Sequence, residues 1–199
     1  MNAVKFSAPS HAITAILYED GPEADRAMRR IYVCLTARGV FVAGFVQINE
    51  AQPGRSRCDM ILHEMASGEE ICISEDRGPH ARGCKLNLPE MVRAEGLLTA
   101  ALQRGPDLLI VNKFGKMEAL GGGFRPQITS AVEAGVPVLI AVPRRNLEAW
   151  HAFAGGLSND VSVEALAQDG AALCAGLGFA NVGAEALAVA HSTETRDPA

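Results

Sequence analysis

A short apolar run that stops at a polar, glycine-containing segment constrains this sequence more than any other feature. Residues 107–111 read DLLIV, and four apolar residues in a row are typical of a strand covered on both faces, as in a parallel sheet. Residues 112–118 follow directly and read NKFGKME, with two lysines and a carboxylate. Because ligands in open α/β sheets bind outside the carboxyl ends of the strands, we expect a ligand site in this segment.

The overall composition limits the classes of function. A chain of 199 residues suits one α/β domain with a substantial core. Its net charge of −5 gives no general attraction to nucleic acid or to anionic membranes. No apolar run approaches the roughly 20 residues of a membrane span, and the N-terminus lacks the apolar core of a signal peptide. We therefore expect no nucleic-acid or membrane partner, and a homo-oligomer stays open.

The cysteines indicate a reducing compartment. Five cysteines are present, an odd number, and no two form a C-x-x-C pair. This pattern favours free thiols in a cytoplasmic protein over a disulfide framework or a zinc ribbon. Cys58 and Cys84 as ligands of a soft metal are the alternative to ordinary free thiols. Trp150 lies at helical spacing with Phe153 and is predicted to be a packing residue whose indole N–H needs a partner.

Strand and helix patterns alternate along the chain. Strands are predicted at residues 12–17, 40–47, 107–111 and 136–142, with a polar loop at 48–57. Helices are predicted at about 22–38, 89–104, 124–134 and 146–154, the last capped by Asn146. We expect the four strands to be parallel neighbours in one sheet. The predicted fold class is therefore a three-layer α/β domain with a mainly parallel sheet.

Two further segments complete the predicted organisation. Residues 58–64 and 70–74 alternate in polarity and predict an antiparallel hairpin outside the parallel strands or at their edge. We assign residues 1–157 to one α/β domain, in which the hairpin is an insert at about 58–75. Residues 158–190 are predicted to be an alanine-rich helical extension of the same domain, and residues 191–199 a disordered tail.

The turn between the first strand and the first helix disfavours a conventional phosphate loop. Such a loop, G-x-x-x-x-G-K-[ST], surrounds phosphates with backbone N–H groups and a lysine, whereas residues 18–25 read YEDGPEAD. A helix N-terminus attracts an anion by about 0.3–1 kcal/mol. One carboxylate at ~5 Å opposes this by roughly 3 kcal/mol at an effective dielectric constant of ~20. The acids of this turn either complement the helix dipole or hold a divalent cation.

Clustered basic residues indicate an anion site. The candidate ligand-binding residues are Asn112, Lys113, Gly115 and Lys116 after one strand, Arg144 and Arg145 after another, and Arg82 and Lys85 in an irregular loop. Parallel strands end at one edge of a sheet, so the first two groups should meet there, beneath the loop. Cations and glycine N–H groups together predict a pocket for a small anion. The alternative is structural: the arginines are solvated, and Lys113 pairs with Glu118.

The order of these segments resembles a known class of enzymes. The segment at 112–118, FR at 124–125 and PVLIA at 137–141 follow the order seen in small P-loop nucleoside-triphosphatases related to human cancer-related nucleoside-triphosphatase. Their signature is close to DEIGKME. The resemblance implies a P-loop-like core over about residues 12–157. Asn112 stands where those enzymes have the aspartate that holds Mg²⁺ through water, and Lys113 where a glutamate activates water. With the acidic first turn, this implies a degenerate phosphate loop.

A closer resemblance spans nearly the whole domain. The chain is similar to a family of uncharacterised bacterial proteins, a domain of unknown function often encoded near molybdate-transport or nitrogen-fixation genes. The similarity lies in CDM at 58–60, RGC at 82–84, NKFGK at 112–116 and VPRRN at 142–146. It implies a connection with molybdenum metabolism.

Three functions stay open on this basis. The residues favour a non-hydrolytic anion-binding accessory or sensor protein, whose ligand is a nucleotide or an oxyanion such as molybdate. One alternative is an active nucleotide hydrolase or kinase with a non-standard phosphate site. The other is a protein-interaction module with a vestigial cleft. Catalysis needs a positioned base and often a metal ion, whereas binding needs only donors and charge. The sequence identifies neither a catalytic residue nor a cofactor.

Overall fold

A computed structural model describes residues 5–6, 9–50, 59–75, 86–168 and 170–180, in which strands and helices alternate. The strands are β1 (Lys5–Phe6), β2 (Ile13–Tyr18), β3 (Val42–Glu50), β4 (Asp59–Glu64), β5 (Glu70–Cys72), β6 (Leu108–Val111), β7 (Val138–Pro143), β8 (Ser158–Ser162) and β9 (Phe179–Ala180). The helices are α1 (Gly21–Thr36), α2 (Leu88–Gln103), α3 (Lys116–Ala119), α4 (Arg125–Glu133), α5 (Leu147–Ala154), α6 (Val163–Gln168) and α7 (Gly170–Gly176).

Seven of the described strands form one sheet in the order β5-β4-β3-β6-β7-β2-β8. The five strands from β3 to β8 in this order are parallel, and β4 and β5 add an antiparallel hairpin at one edge. The prediction that β2, β3, β6 and β7 are parallel neighbours is confirmed, and so is the hairpin. The short strands β1 and β9 pair with each other in a separate ladder.

Helices cover both faces of the sheet because its central strands are apolar on both sides. In β6, Leu109 and Val111 pack in the core beneath α2, α4 and α5, whereas Leu108 and Ile110 pack in the core beneath α1, α6 and α7. All residues of β6 and β7 are buried. The continuous apolar runs therefore correspond to strands that are buried on both faces. The predicted three-layer α/β architecture is confirmed.

The sequence of helix α1 explains where the helix starts, which face it buries and where it ends. A proline lies at its start, and its buried residues Ala24, Met28, Ile31 and Leu35 recur at helical spacing on one stripe. Gly39 follows with φ of 80°, a left-handed conformation that glycine adopts without steric cost. None of the described helices is both long and apolar enough to cross a bilayer.

The structure differs from the sequence prediction in three segments. Residues 158–162, predicted as part of the helical extension, form the edge strand β8, which pairs with β2. Its sequence, SNDVS, has little intrinsic strand preference, so tertiary pairing decides its conformation. Residues 48–50 continue β3 instead of starting a loop, and residues 116–119 form the short helix α3. Residues 181–190 of the predicted extension and the tail at 191–199 lie outside the described residues.

Candidate functional site

The connections out of β2 and β7 run to opposite faces of the sheet at its carboxyl edge. These strands are neighbours, yet β2 leads into α1 on one face and β7 leads into α5 on the other. Adjacent strands that lead to opposite faces form a topological switch point, where α/β proteins bind ligands. Five residues near this point share contacts or electrostatic interactions and are called the carboxyl-edge cluster: Tyr18, Asp25, Asn112, Lys113 and Arg145.

A hydrogen bond between Asn112 and Asp25 is the centre of the cluster. Asn112 is 2% exposed, and its Nδ2 donates to Asp25 Oδ1 at 2.8 Å. Its backbone N–H donates to the Phe45 carbonyl at 3.2 Å, which fixes the residue at the end of β6. Asn112 Oδ1 is buried and accepts no hydrogen bond from the described residues. Burial raises the pKa of Asp25, although the Asn112 amide and the Lys113 ammonium oppose this shift.

Lys113 carries the main positive charge of the cluster. Its side chain is partly buried, and the Asn112–Lys113 peptide bond is cis. Burial lowers the pKa of Lys113, the nearby Asp25 carboxylate raises it, and the Arg145 guanidinium lowers it further. No described carboxylate lies within ion-pair distance of Lys113, since the described ion pairs all involve other residues. Within the described residues, Lys113 therefore has no ion-pair partner.

Tyr18 adds a neutral hydrogen-bonding group. It is the last residue of β2, is 3% exposed, and lies within the electrostatic reach of Asp25 and Arg145. Burial and the Asp25 charge raise the pKa of Tyr18 to about 12, while Arg145 opposes the shift. The phenol is therefore protonated at neutral pH and can donate to an anion.

Glu118 holds the loop after β6 in place and does not pair with Lys113. It is 4% exposed, and its Oε2 and Oε1 accept from the backbone N–H groups of Gly115 at 2.9 Å and Phe124 at 3.0 Å. Burial raises the pKa of Glu118, and these hydrogen bonds oppose the shift. The described contacts contain no ion pair between Lys113 and Glu118, so the structural alternative for Lys113 is wrong.

The predicted basic residues apart from Lys113 are more exposed. Arg144 and Arg145 are both exposed; Arg145 belongs to the cluster, whereas Arg144 Nε lies 3.6 Å from Glu19 Oε1. Lys116 is exposed at the start of α3, and no contact within the described part of the chain joins it to the cluster. Gly115, whose N–H is bonded to Glu118, belongs to the loop scaffold. Arg82, Lys85, Cys58 and Cys84 lie outside the described residues.

Asn146 has a different role from the predicted one. Its side chain makes no capping hydrogen bond at α5. Instead, Asn146 Nδ2 donates to the Phe114 carbonyl at 2.9 Å, which joins the turn after β7 to the loop after β6. The two basic segments meet as expected, but through this amide and through the action of Arg145 on Lys113.

Sequence reasoning missed Tyr18 and Asp25 as members of the site. From the sequence alone, Asp25 groups with the other acids of the first turn. In the structure, Asp25 lies next to Ala24, at the border of the buried stripe of α1. That position separates it in the structure from exposed Glu19, but nothing in the sequence of the turn indicates the contact with Asn112. The divalent-cation alternative for these acids has no structural counterpart: the described residues contain no group of three or more His, Cys, Asp or Glu side chains that could hold a metal ion.

These features define an α/β protein with a mostly parallel seven-stranded sheet, compatible with a P-loop-like fold, and a polar cluster at its switch point. The chain belongs to the family described as "Protein of unknown function (DUF2478)", which matches residues 13–169. The family resemblance expected from the sequence is thus confirmed.

The chain is also similar to a curated protein whose name states molybdenum import and ATP binding. The chain is similar to the molybdenum import ATP-binding protein ModC 2 of Bradyrhizobium diazoefficiens, with 33% identity over 152 residues. The matched part is 76% of this chain and 17% of that protein, so the chain spans well under two thirds of its relative. No solved structure matches the chain.

Proposed function

We propose that this protein binds a small anion without hydrolysing it, and that it acts as a sensor or accessory protein. The ligand class is a nucleotide or a small oxyanion, held at the carboxyl-edge cluster. The observation that carries the proposal is Lys113, a partly buried cation without an ion-pair partner among the described residues, at the switch point of the sheet. Burying a cation is costly unless a counter-charge compensates it, and a bound anion supplies that charge.

The charges around the cluster favour an anion. Among the described residues, two carboxylates and three cations act on Tyr18, Asp25 or Lys113, which is one positive charge in excess. These groups are Asp20, Asp25, Arg26, Lys113 and Arg145. Glu19 and Arg144 form a neutral pair at the rim. A local positive charge on a chain of net charge −5 concentrates anions at one place.

The same residues favour binding over hydrolysis. The turn at residues 18–25 has neither the glycines nor the lysine of a phosphate loop. At the two positions where the P-loop resemblance implies a Mg²⁺ ligand and a water-activating carboxylate, the chain has a neutral amide and a cation, Asn112 and Lys113. Glu118, the nearest buried carboxylate in the loop, is engaged by two backbone N–H groups. We therefore adopt the hypothesis that the chain has a P-loop-like core with a degenerate phosphate site.

An accessory role in molybdenum metabolism is the biological setting that we propose. It rests on the relative whose name states molybdenum import and ATP binding, and that name describes a protein of which this chain matches 17%. The similarity supports a related setting, and the ligand has to be identified from the site.

A thermal-shift panel tests the proposal directly. The panel contains ATP, GTP, phosphate, sulfate, molybdate and tungstate, each with and without Mg²⁺. A ligand at 100 times its Kd stabilises a protein by about 2.7 kcal/mol, which is readily measured. We expect at least one anion to raise Tm without Mg²⁺ in the wild type, and to raise it clearly less in Lys113→Ala.

The matched control for this panel is Arg104→Ala. Arg104 is exposed and stacks over Phe41 at 4.8 Å, near the amino ends of β3 and β6, so its removal subtracts the same charge at the opposite edge of the sheet. This variant should respond to the anion as the wild type does. If no anion in the panel stabilises the wild type, the proposed function is rejected and the protein-interaction alternative takes its place.

A further inference from the structure

We infer that the anion held at the carboxyl-edge cluster presents an O–H group to Asn112, so that hydrogenphosphate and its relatives bind in preference to fully ionised oxyanions such as sulfate and molybdate. The inference rests on the proposed function and narrows its ligand class. It is carried by the unpartnered amide oxygen of Asn112, by the hydrogen bond of that amide to Asp25, and by the charges around them.

The amide oxygen of Asn112 is a buried acceptor without a donor. Asn112 is 2% exposed, and among the described residues nothing donates to its Oδ1. Buried polar groups are nearly always hydrogen-bonded, because a buried group without a partner has lost its hydrogen bonds to water and has gained none in exchange. This oxygen belongs to the same planar amide whose Nδ2 contacts Asp25, so it lies within the cluster. A ligand that donates there completes the site.

The Asp25 carboxylate determines which atom of the Asn112 side-chain amide stays without a hydrogen bond. Asn112 Nδ2 donates to Asp25 Oδ1 at 2.8 Å. If the amide were turned over, its carbonyl oxygen would face the carboxylate, and two acceptors would oppose each other. The hydrogen bond to Asp25 therefore leaves Asn112 Oδ1 as the free acceptor of the amide.

The donors and charges of the cluster distinguish between classes of oxyanion. Lys113, Arg145 and the Tyr18 phenol suit the anionic oxygens of a ligand. Asn112 Oδ1 and the Asp25 charge disfavour a ligand that has acceptors only, because it would place acceptor against acceptor and charge against like charge. Sulfate and molybdate are such ligands at neutral pH, whereas inorganic phosphate keeps one proton and can donate it. Sites that hydrogen-bond a ligand hydroxyl reject analogues that lack it.

Calorimetric titration of the full chain with phosphate, sulfate and molybdate tests the inference. At about pH 8, inorganic phosphate is mainly a dianion, with the charge and tetrahedral shape of sulfate and one additional O–H. We expect phosphate to bind the wild type about tenfold or more tightly than sulfate or molybdate, the ratio that one hydrogen bond of about 1.4 kcal/mol supplies. This comparison needs no variant and does not depend on how a variant folds.

Two substitutions test whether the Asp25–Asn112 pair is the cause. Asp25→Asn removes the repulsive charge and offers Asn112 Oδ1 an internal donor. The preference for phosphate over sulfate should then fall below about threefold. The double exchange Asp25→Asn with Asn112→Asp reverses the direction of the hydrogen bond and returns both the charge and a spare acceptor. It should regain the preference, and the unfolding midpoints of both variants report whether they fold.

Competition distinguishes free phosphate from a phosphate ester. Under the conditions of the titration the phosphate group of adenosine monophosphate is a dianion without an O–H, so we expect it not to displace inorganic phosphate. Displacement at equal concentration overturns the inference. Sulfate or molybdate binding as tightly as phosphate to the wild type overturns the inference and leaves the proposed function standing. An unchanged preference in Asp25→Asn also overturns it. If the wild type binds none of the anions, the proposed function and the inference fail together.

Discussion

Glu118 Oε1 accepts a hydrogen bond from the Phe124 backbone N–H at 3.0 Å, so one buried carboxylate spans the whole glycine segment that separates α3 from α4. The other carboxylate oxygen accepts from the Gly115 N–H, which places Glu118 between the loop after β6 and the start of α4. The loop that carries Lys113 is therefore shaped by a side chain that is itself outside the cluster.

Removal of this carboxylate should destabilise the protein. Glu118→Ala leaves the buried N–H of Phe124 and the partly buried N–H of Gly115 without acceptors, and a buried group without its partner costs about 1–3 kcal/mol. Glu118→Gln retains one accepting oxygen and should lose about half as much free energy of unfolding. Urea denaturation measures both variants, with Glu133→Ala, an exposed carboxylate at the end of α4, as the control. Wild-type stability in Glu118→Ala would show that the carboxylate does not shape the loop.

Two glycines of the segment between α3 and α4, Gly121 and Gly123, provide a matched pair of substitution sites. Gly123 has φ of 59°, and a Cβ there would lie 2.1 Å from Glu118 Oε1. Gly121 has φ of 97°, with no atom within 4 Å of such a Cβ. Both alanine variants incur the backbone cost of a left-handed conformation, about 1–2 kcal/mol, but only Gly123→Ala also displaces Glu118. Gly123→Ala should therefore unfold at clearly lower urea concentration. Equal midpoints would refute the close packing of Glu118.

Anion binding should depend more on Lys113, which belongs to the carboxyl-edge cluster, than on Lys116, which lies outside it. Lys113→Ala should weaken anion binding by about 1.5–3 kcal/mol, because it removes a charge-assisted hydrogen bond in a partly buried site. Lys116→Ala should weaken it by less than about 1 kcal/mol, because an exposed charge is screened by solvent. Calorimetric titration with the best anion of the thermal-shift panel measures both variants. The same loss in the two would place Lys116 within the site, as the sequence alone suggested.

Nucleotide turnover should be at background level. The wild type should release phosphate from ATP or GTP no faster than the spontaneous reaction. Asn112→Asp alone should not restore hydrolysis, since the turn at residues 18–25 still lacks the lysine and glycines of a phosphate loop. A steady-state phosphate-release assay with Mg²⁺ tests this. Turnover on the order of 1 s⁻¹ that a single substitution in the cluster abolishes would establish the hydrolase alternative.

Asp160 should make stability depend on pH at the β8 edge. Burial acts to raise the pKa of Asp160, but hydrogen bonds from Ser158, His151 and Trp150 outweigh it and lower the pKa. A carboxyl whose pKa is lower in the folded state stabilises the protein above its unfolded pKa of about 3.9, and this stability is lost as pH falls through the folded value. Asp160→Asn should therefore cost about 1–2 kcal/mol near neutral pH and progressively less below about pH 4.

Urea midpoints between about pH 3 and pH 7 measure this dependence. Glu148→Gln, at an exposed carboxylate of α5, is the control and should shift the curve little at any pH in the series. A difference between Asp160→Asn and wild type that stays constant down to the lowest pH would contradict the assignment, since it would not follow the ionisation of this carboxyl.

The parts of the fold that depend on local pattern were predictable from the sequence. The LLIV run of β6 predicts burial on both faces, and that burial predicts helices on both sides. The SNDVS sequence of β8 contains no such pattern, because the strand exists through its pairing with β2 and through the hydrogen bond from Trp150 to Asp160. Helix propensity in the neighbouring alanine-rich residues therefore led to the wrong assignment there.

The same limit applies to the candidate site. The lysines and arginines after β6 and β7 could be identified, because parallel strands end at the same edge of a sheet whatever their order. Asp25 could not, because its contact with Asn112 joins residues 87 positions apart and depends on how α1 lies across the sheet. A charged residue in a helix start has the same sequence context whether it contacts solvent or a buried amide.

The packing of Trp150 gives the protein an intrinsic fluorescent reporter. It is the single tryptophan of the chain, is fully buried, and meets the Phe114 ring edge-on at a centroid distance of 5.2 Å. Phe114 is the residue after Lys113, so a displacement of the ligand loop changes the surroundings of the indole. Emission from one fluorophore can therefore follow events at the carboxyl edge in real time, in the unlabelled wild-type chain.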